Sequence, residues 1–255
     1  TYTVSATDGD AAPASDTETV TITILGTNDA PSEGFKPTRK EDLQTAVDQW
    51  IYDNATALST YGEINTWDVS LITNMSHLFH NKATFNDDIS TWNVSNVTNM
   101  HGLFNQSSSF NQDLSSWDVS NVTNMETIFY QADRFNGDIS SWDVSSVTNM
   151  ASAFDANDIF NRDISSWDVS SVTNMSHMFK NAVSFNQDLS SWDVSGVTDP
   201  GRMEGMFNNT AALSDANKGL IHASFSSNSN WPYDWSSFVV DRLSLIHISE
   251  PTRRT

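Results

Sequence analysis

Cysteine is absent from the 255 residues, so neither a disulfide framework nor thiolate chemistry is available to this chain. Basic residues are scarce as well: 12 Lys and Arg stand against 32 Asp and Glu, a formal net charge of -20. A polyphosphate is held by Lys and Arg that displace its counterions, so this balance argues against nucleic acid. Cations and the basic surfaces of other proteins are the partners such a field attracts. No apolar run is long enough to span a membrane, and no charged start followed by an apolar middle reads as a signal peptide. The chain begins at Thr1, inside what reads as a strand, so that absence says nothing about compartment. HExxH, GxSxG and phosphate-loop patterns are also missing. The histidines His77, His80, His101, His177, His222 and His247 do not recur at one repeat position, although His77 and His177 are equivalent. Carboxylates are plentiful enough for a glycosidase pair, but they lie on a regular array, and no enzyme is expected.

What is present is repetition. Trp67, Trp92, Trp117, Trp142, Trp167 and Trp192 recur every 25 residues, a period that signals stacked supersecondary units. One unit, Phe160 to Ser184, reads FNRDISSWDVSSVTNMSHMFKNAVS. Trp167 and Val169 are two apart and share one strand face, which leaves Ser166, Asp168 and Ser170 on the other. Met175, Met178, Phe179 and Ala182 fall at helical spacing, so a short helix is expected after Thr173-Asn174.

The alternation decides which face is inside. Were the indoles in water, Asp118, Asp143, Asp168 and Asp193 would lie in the core, at several kcal/mol each without a partner. Burying each large apolar side chain instead gains roughly 2 to 3 kcal/mol. The Trp ladder is therefore expected inside, and Asp68, Asn93, Asp118, Asp143, Asp168 and Asp193 outside, with Ser116, Ser141 and Ser166 beside them. That exposed face is the candidate partner-binding surface, for a protein or glycan; the alternative for the acidic row is a soluble edge that discourages aggregation. Asp113, Asp138, Asp163 and Asp188 form a second acidic row in the FNxD turns. Their neighbours Asn111, Asn136, Asn161 and Asn186 suit backbone groups of stacked turns. The row Thr98, Thr123, Thr148 and Thr173 reads as turn and cap chemistry.

The flanks differ in kind. Residues 1–25 alternate as a closing β-hairpin does, and 26–36 form a linker. Residues 37–60 predict a capping helix: Thr38 and Glu41 make a capping-box pattern, and Leu43, Ala46, Val47, Trp50 and Ile51 line one face. Six coils fill 61–213, and 214–242 hold a helix with Ala216, Leu220, Ala223 and Phe225 on its apolar face, then the aromatic loop Trp231 to Trp235. Residues 243–255 read as translated sequencing adapter rather than native chain. In the last coil, Pro200-Gly201-Arg202 is a three-residue insertion.

WDVSxVTNM preceded by FNxDIS resembles the BspA-like leucine-rich-repeat surface proteins of bacteria, over residues 61–213. The resemblance implies a repeat solenoid of leucine-rich-repeat type, α/β, with parallel strands plus short helices, an N-terminal β-hairpin remnant and helical caps. It also implies a non-enzymatic adhesion or interaction module, secreted or at the cell surface, present as a monomeric part of a larger chain. TYTVSATDGD with GTNDAP is similar to the end of a VCBS or cadherin-like module. Such modules bind calcium between domains, and Asp8, Asp10, Asn28 and Asp29 offer the hard oxygens Ca²⁺ prefers. A calcium-stiffened spacer in a multidomain adhesin is the alternative function.

Overall fold

The structure is a computed structural model that describes residues 34–240. The expected hairpin over 1–25, the candidate calcium ligands Asp8, Asp10, Asn28 and Asp29, and residues 243–255 lie outside the described residues.

The 25-residue coils stack as the Trp period requires, but they are not built of strands and helices. Among the described residues the coils contain no α-helix and no β-strand, only the single 3-10 turn Ile64–Thr66, and parallel pairing is confined to the isolated bridges Asn74–Asn99, Asn99–Asn124, Asn124–Asn149 and Asn149–Asn174. The expected leucine-rich-repeat solenoid of parallel strands plus short helices is thus corrected to a coil of turns.

The backbone hydrogen bonds give the reason. In the fifth coil the amides of Met178, Lys180 and Ala182 donate to Met175, His177 and Phe179, three residues back, at 3.1–3.2 Å. The alternate amides of Met175, His177, Phe179 and Asn181 leave the coil and donate to Arg202, Glu204, Met206 and Asn208 of the next, at 2.7–2.9 Å. A helix would send every amide back four residues within one coil. Here half of them join neighbouring coils, which overlapping turns permit and a helix does not. Such turns need left-handed residues, and His177 (φ 59°) and Asn181 (φ 58°) supply them. Equivalent pairs are Gln131 with Thr127, Ala156 with Ser152, and Asn81 with His77.

On the Trp side, short turns do the same work: Trp167 N donates to Ile164 O at 3.1 Å and Val172 N to Val169 O at 2.9 Å. Trp67, Trp92, Trp117, Trp142, Trp167 and Trp192 are buried to 5% exposure or less. Each buried indole also spends its polar end. Nε1 of Trp117, Trp142, Trp167 and Trp192 donates to Ile89, Leu114, Ile139 and Ile164 O of the preceding coil, at 2.9–3.1 Å. Two Phe ladders fill the other half of the core. Phe104 stacks on Phe129 at 5.6 Å and on Phe110, which opens the next repeat, at 4.0 Å, with the rings nearly parallel.

Both ends are sealed. Helix α1 (Lys40–Tyr52) buries Leu43, Ala46, Val47 and Trp50 against the first coil, and Trp50 meets Trp67 edge-on at 5.9 Å. Gln44 Nε2 reaches Leu78 O at 3.0 Å. The Thr38 capping box does not form: Arg39 holds the N-cap position, and its guanidinium pairs with Asp42 at 2.6 Å. Helix α2 (Asn54–Tyr61) follows at once, its N-cap Asp53 accepting from Thr56 N at 3.2 Å. At the far end α3 (Asp215–Phe225) starts on Ser214, whose Oγ accepts from Asn217 N at 3.2 Å. Its buried face is Gly219, Ile221 and Phe225: of the expected face Phe225 is buried, whereas Ala216, Leu220 and Ala223 are exposed. Trp231, Tyr233 and Trp235 pack on Phe207 at 5.6–6.3 Å, and Tyr233 Oη takes the Phe207 N–H, an amide that no further coil receives, at 2.8 Å.

Candidate functional site

The residues singled out from the sequence come together as one face. Asn93, Asp118, Asp143, Asp168 and Asp193 are exposed, and Asp68 is half-buried. Successive coils are held in register beside them, because Asn96 and Asn121 donate Nδ2 to Ser70 and Ser95 O one coil back, both at 2.8 Å.

Much of this chemistry is spent internally. The side-chain Oδ1 of Asp118, Asp143, Asp168 and Asp193 accepts from the amide of Ser120, Ser145, Ser170 and Ser195, two residues on, at 2.9–3.1 Å. Asn93 does the same with Ser95 at 3.1 Å, so the amide replaces the carboxylate at this position without loss of the turn. The serine two residues on holds the carboxyls of Asp118, Asp168 and Asp193 below the usual range. Asp68 goes further, to about 2, chiefly because Lys36 Nζ lies 2.6 Å from Oδ2, with Ser70 adding to the effect. What each remaining Asp of the row presents outward is its Oδ2.

The serines are committed too. Ser116, Ser141 and Ser166 donate Oγ to Ser90, Ser115 and Ser140 O of the preceding coil, at 2.6, 3.1 and 3.3 Å. They clamp one coil to the next and retain only acceptor capacity toward a ligand. The FNxD row is likewise occupied with its own turns: Asp113, Asp138, Asp163 and Asp188 accept from the amides of Ser115, Ser140, Ser165 and Ser190 at 2.8–3.0 Å. Asn111 and Asn136 each take the amide of the equivalent Asn in the next coil, at 2.8 and 3.1 Å.

A model of one family, described as "Mycoplasma protein of unknown function, DUF285", matches residues 45–155 and 116–220. The chain belongs to this family. The match overturns the resemblance to BspA-like leucine-rich repeats, and no VCBS or cadherin-like module matches either. The two overlapping matched stretches take in the turn-built coils together with part of α1, all of α2 and the start of α3. Comparison with curated proteins and with solved structures gave no match.

Two features of this DUF285 chain escaped the sequence reading. The first is a groove of about 590 Å³ at the end of the Asp face, where Ser190 to Thr198 of the sixth coil meet Ser224 in the last turn of α3 and Ser227 to Asn230 after it. Its walls are tied together: Asn228 Nδ2 donates to Val194 O at 2.8 Å and to Val197 O at 3.1 Å, and Asn230 Nδ2 to Val197 O at 3.1 Å. The run SFSSNSN was visible as polar sequence, but only the turn of α3 back onto the coils shows what it faces.

The second is a cluster of imidazoles on the far side of the first two coils. His77 lies 4.5 Å from His101 and 5.5 Å from His80, ring to ring, and His101 Nδ1 is 3.5 Å from Glu126. Burial, then the charges of His101, His80 and Lys40, lower the His77 pKa against the smaller opposite pull of Glu126. Among the described residues no three His, Asp or Glu converge as a metal site. None of the described helices is long and apolar enough to cross a membrane.

Proposed function

We propose that this chain is a non-enzymatic interaction module, secreted or at a cell surface, that binds a protein or glycan partner across its exposed Asp face. The observation that carries the reading is the registered row itself: one outward Oδ2 per coil from Asp118, Asp143, Asp168 and Asp193, each carboxylate fixed by its own turn. A repeated, pre-oriented acceptor is what a solenoid offers an extended partner, and fixing it in advance reduces the ordering that binding must impose. The net charge of -20 favours a basic protein surface over an anionic one. Support for a non-catalytic role is that the groove at the end of the face holds one carboxylate, Asp193, and no histidine to pair with a nucleophile.

The test uses the substitution the chain already contains. Asp118→Asn, Asp143→Asn and Asp168→Asn together keep every turn, as Asn93 does, and remove three charges. Surface plasmon resonance against immobilised basic proteins and glycans should show the triple variant losing the binding that the parent chain has. Equal binding by both removes the face from consideration.

The spacer reading has its own observation: backbone bonds and the Ser116, Ser141 and Ser166 clamps link each coil to its neighbour, which makes the array stiff along its axis. Its calcium part rests on Asp8, Asp10, Asn28 and Asp29. A melting temperature that EDTA and added Ca²⁺ leave unchanged would count against that part.

A further inference from the structure

We propose that the groove between the sixth coil and the segment after α3 is a binding site for a neutral carbohydrate. This rests on the interaction reading above and names the ligand class for one end of the same face. The volume, about 590 Å³, suits a small saccharide.

The lining selects the chemistry. Ser190, Ser195, Thr198, Ser224 and Ser229 bring hydroxyls, and Asp193 brings the one charge. No Lys, Arg or His lines the groove, so nothing there neutralises a phosphate, sulfate or carboxylate, and Asp193 repels them. Only three apolar residues contribute, and the ring among them, Trp192, is 2% exposed, so an apolar or flat aromatic ligand finds no platform. A sugar's hydroxyls both donate and accept, which matches a wall of Ser, Thr and Asn.

The groove is also preformed. The Asn228 and Asn230 amides bind the two walls together, and Ser191 Oγ donates to Ser165 O at 2.7 Å, fixing the floor to the coil before. Asp193 Oδ1 is held by Ser195 N at 2.9 Å, which leaves Oδ2 to accept a charge-assisted bond from a ligand hydroxyl. The other Asp residues of the row have the same turn but no second wall. Convergence of donors and acceptors occurs at Asp193 alone within that row.

The experiment is a glycan array of neutral and acidic oligosaccharides probed with the full chain, followed by calorimetric titration of the neutral saccharide that binds best. Asp193→Asn keeps the turn, and its affinity should fall about tenfold, the loss of one charge-assisted bond. Ser227→Trp, which fills the groove from its exposed rim, should abolish binding. Melting curves of each variant establish that it is folded. No neutral glycan bound, or binding undisturbed by Ser227→Trp, overturns the proposal. Binding lost in Asp118→Asn, Asp143→Asn and Asp168→Asn but kept in Ser227→Trp sinks the groove and leaves the face reading standing.

Discussion

The imidazole of His77 occupies the space that a side chain on Gly102 would need: a Cβ built there would lie 2.5 Å from Nδ1. The two residues hold the same place in successive coils. His177 and Gly205 repeat the relationship, with Cδ2 2.6 Å from the Cβ position. Coils that stack Thr127 and Ser152 at this place use neither a ring nor a glycine. A large side chain in one coil is thus matched by an absent one in the next.

This pairing predicts a coupled stability effect. Gly102→Ala places a Cβ against the ring at φ 60°, and should cost about 1–3 kcal/mol of unfolding free energy. His77→Ser removes the obstacle, so the double variant should recover part of that loss. A double-mutant cycle by urea denaturation measures the coupling, and strict additivity would show that the contact is not the cause.

Trp142 tests the ladder of indole hydrogen bonds. Trp142→Phe keeps a ring in the core but removes one of the two hydrogen bonds to the Leu114 carbonyl, the 2.9 Å bond from Nε1, while the Trp117 amide still donates to it at 3.0 Å, and should destabilise by about 0.5–1.5 kcal/mol. Trp142→Ala adds a cavity and should cost about 3–5 kcal/mol. Because coils touch only their neighbours, loss at this central coil should weaken the two halves' coupling, seen as a broadened thermal transition.

Acid should destabilise the fold in two stages. His77 has a lowered pKa when folded, so its contribution is intact above about 6.5 and is lost as pH falls through the folded value. The carboxyls of Asp118, Asp138, Asp163, Asp168 and Asp193 are also lowered. Theirs is present above about 3.9 and disappears below it, as the unfolded chain takes up protons first. Melting temperature against pH should show both declines. His77→Ser should remove the upper one only.

How far the sequence could reach is clear from the same coil. The period of Trp67 to Trp192 and the alternation of Trp with Asp established stacking, core and exposed face, because burial follows polarity whatever the backbone does. Met175, Met178, Phe179 and Ala182 are buried as helical spacing requires, yet the backbone is not helical. Overlapping turns with a left-handed residue every fourth position return a side chain to the core on nearly the helical count, so periodicity alone does not separate them. The signal that does is Gly102 and Gly205, together with Asn81 and Asn181, at the left-handed places. Of the candidate face, the positions were legible, but the internal use of Ser116, Ser141 and Ser166 was not, since a hydroxyl's partner one coil away leaves no mark in composition. The groove depended on where α3 turns.

Gly219 governs the far cap. In an isolated helix Gly219→Ala would gain about 1 kcal/mol, but here the new Cβ would lie 2.1 Å from Phe238 O, against backbone. The net effect should be destabilising and local, freeing the segment that contains Ser236–Phe238. Limited proteolysis should cut after residue 230 faster in the variant, with the coils intact; unchanged cleavage would refute this close packing.

The central claim is that each coil is a chain of turns whose alternate amides bind the next coil. Amide exchange with backbone chemical shifts tests it most directly. Met125, Thr127, Phe129 and Gln131 should exchange slowly, with left-handed shifts at Thr127, Gln131, Ser152 and Ala156. Uniform helical shifts across residues 175–182, or fast exchange at those four amides, would contradict it.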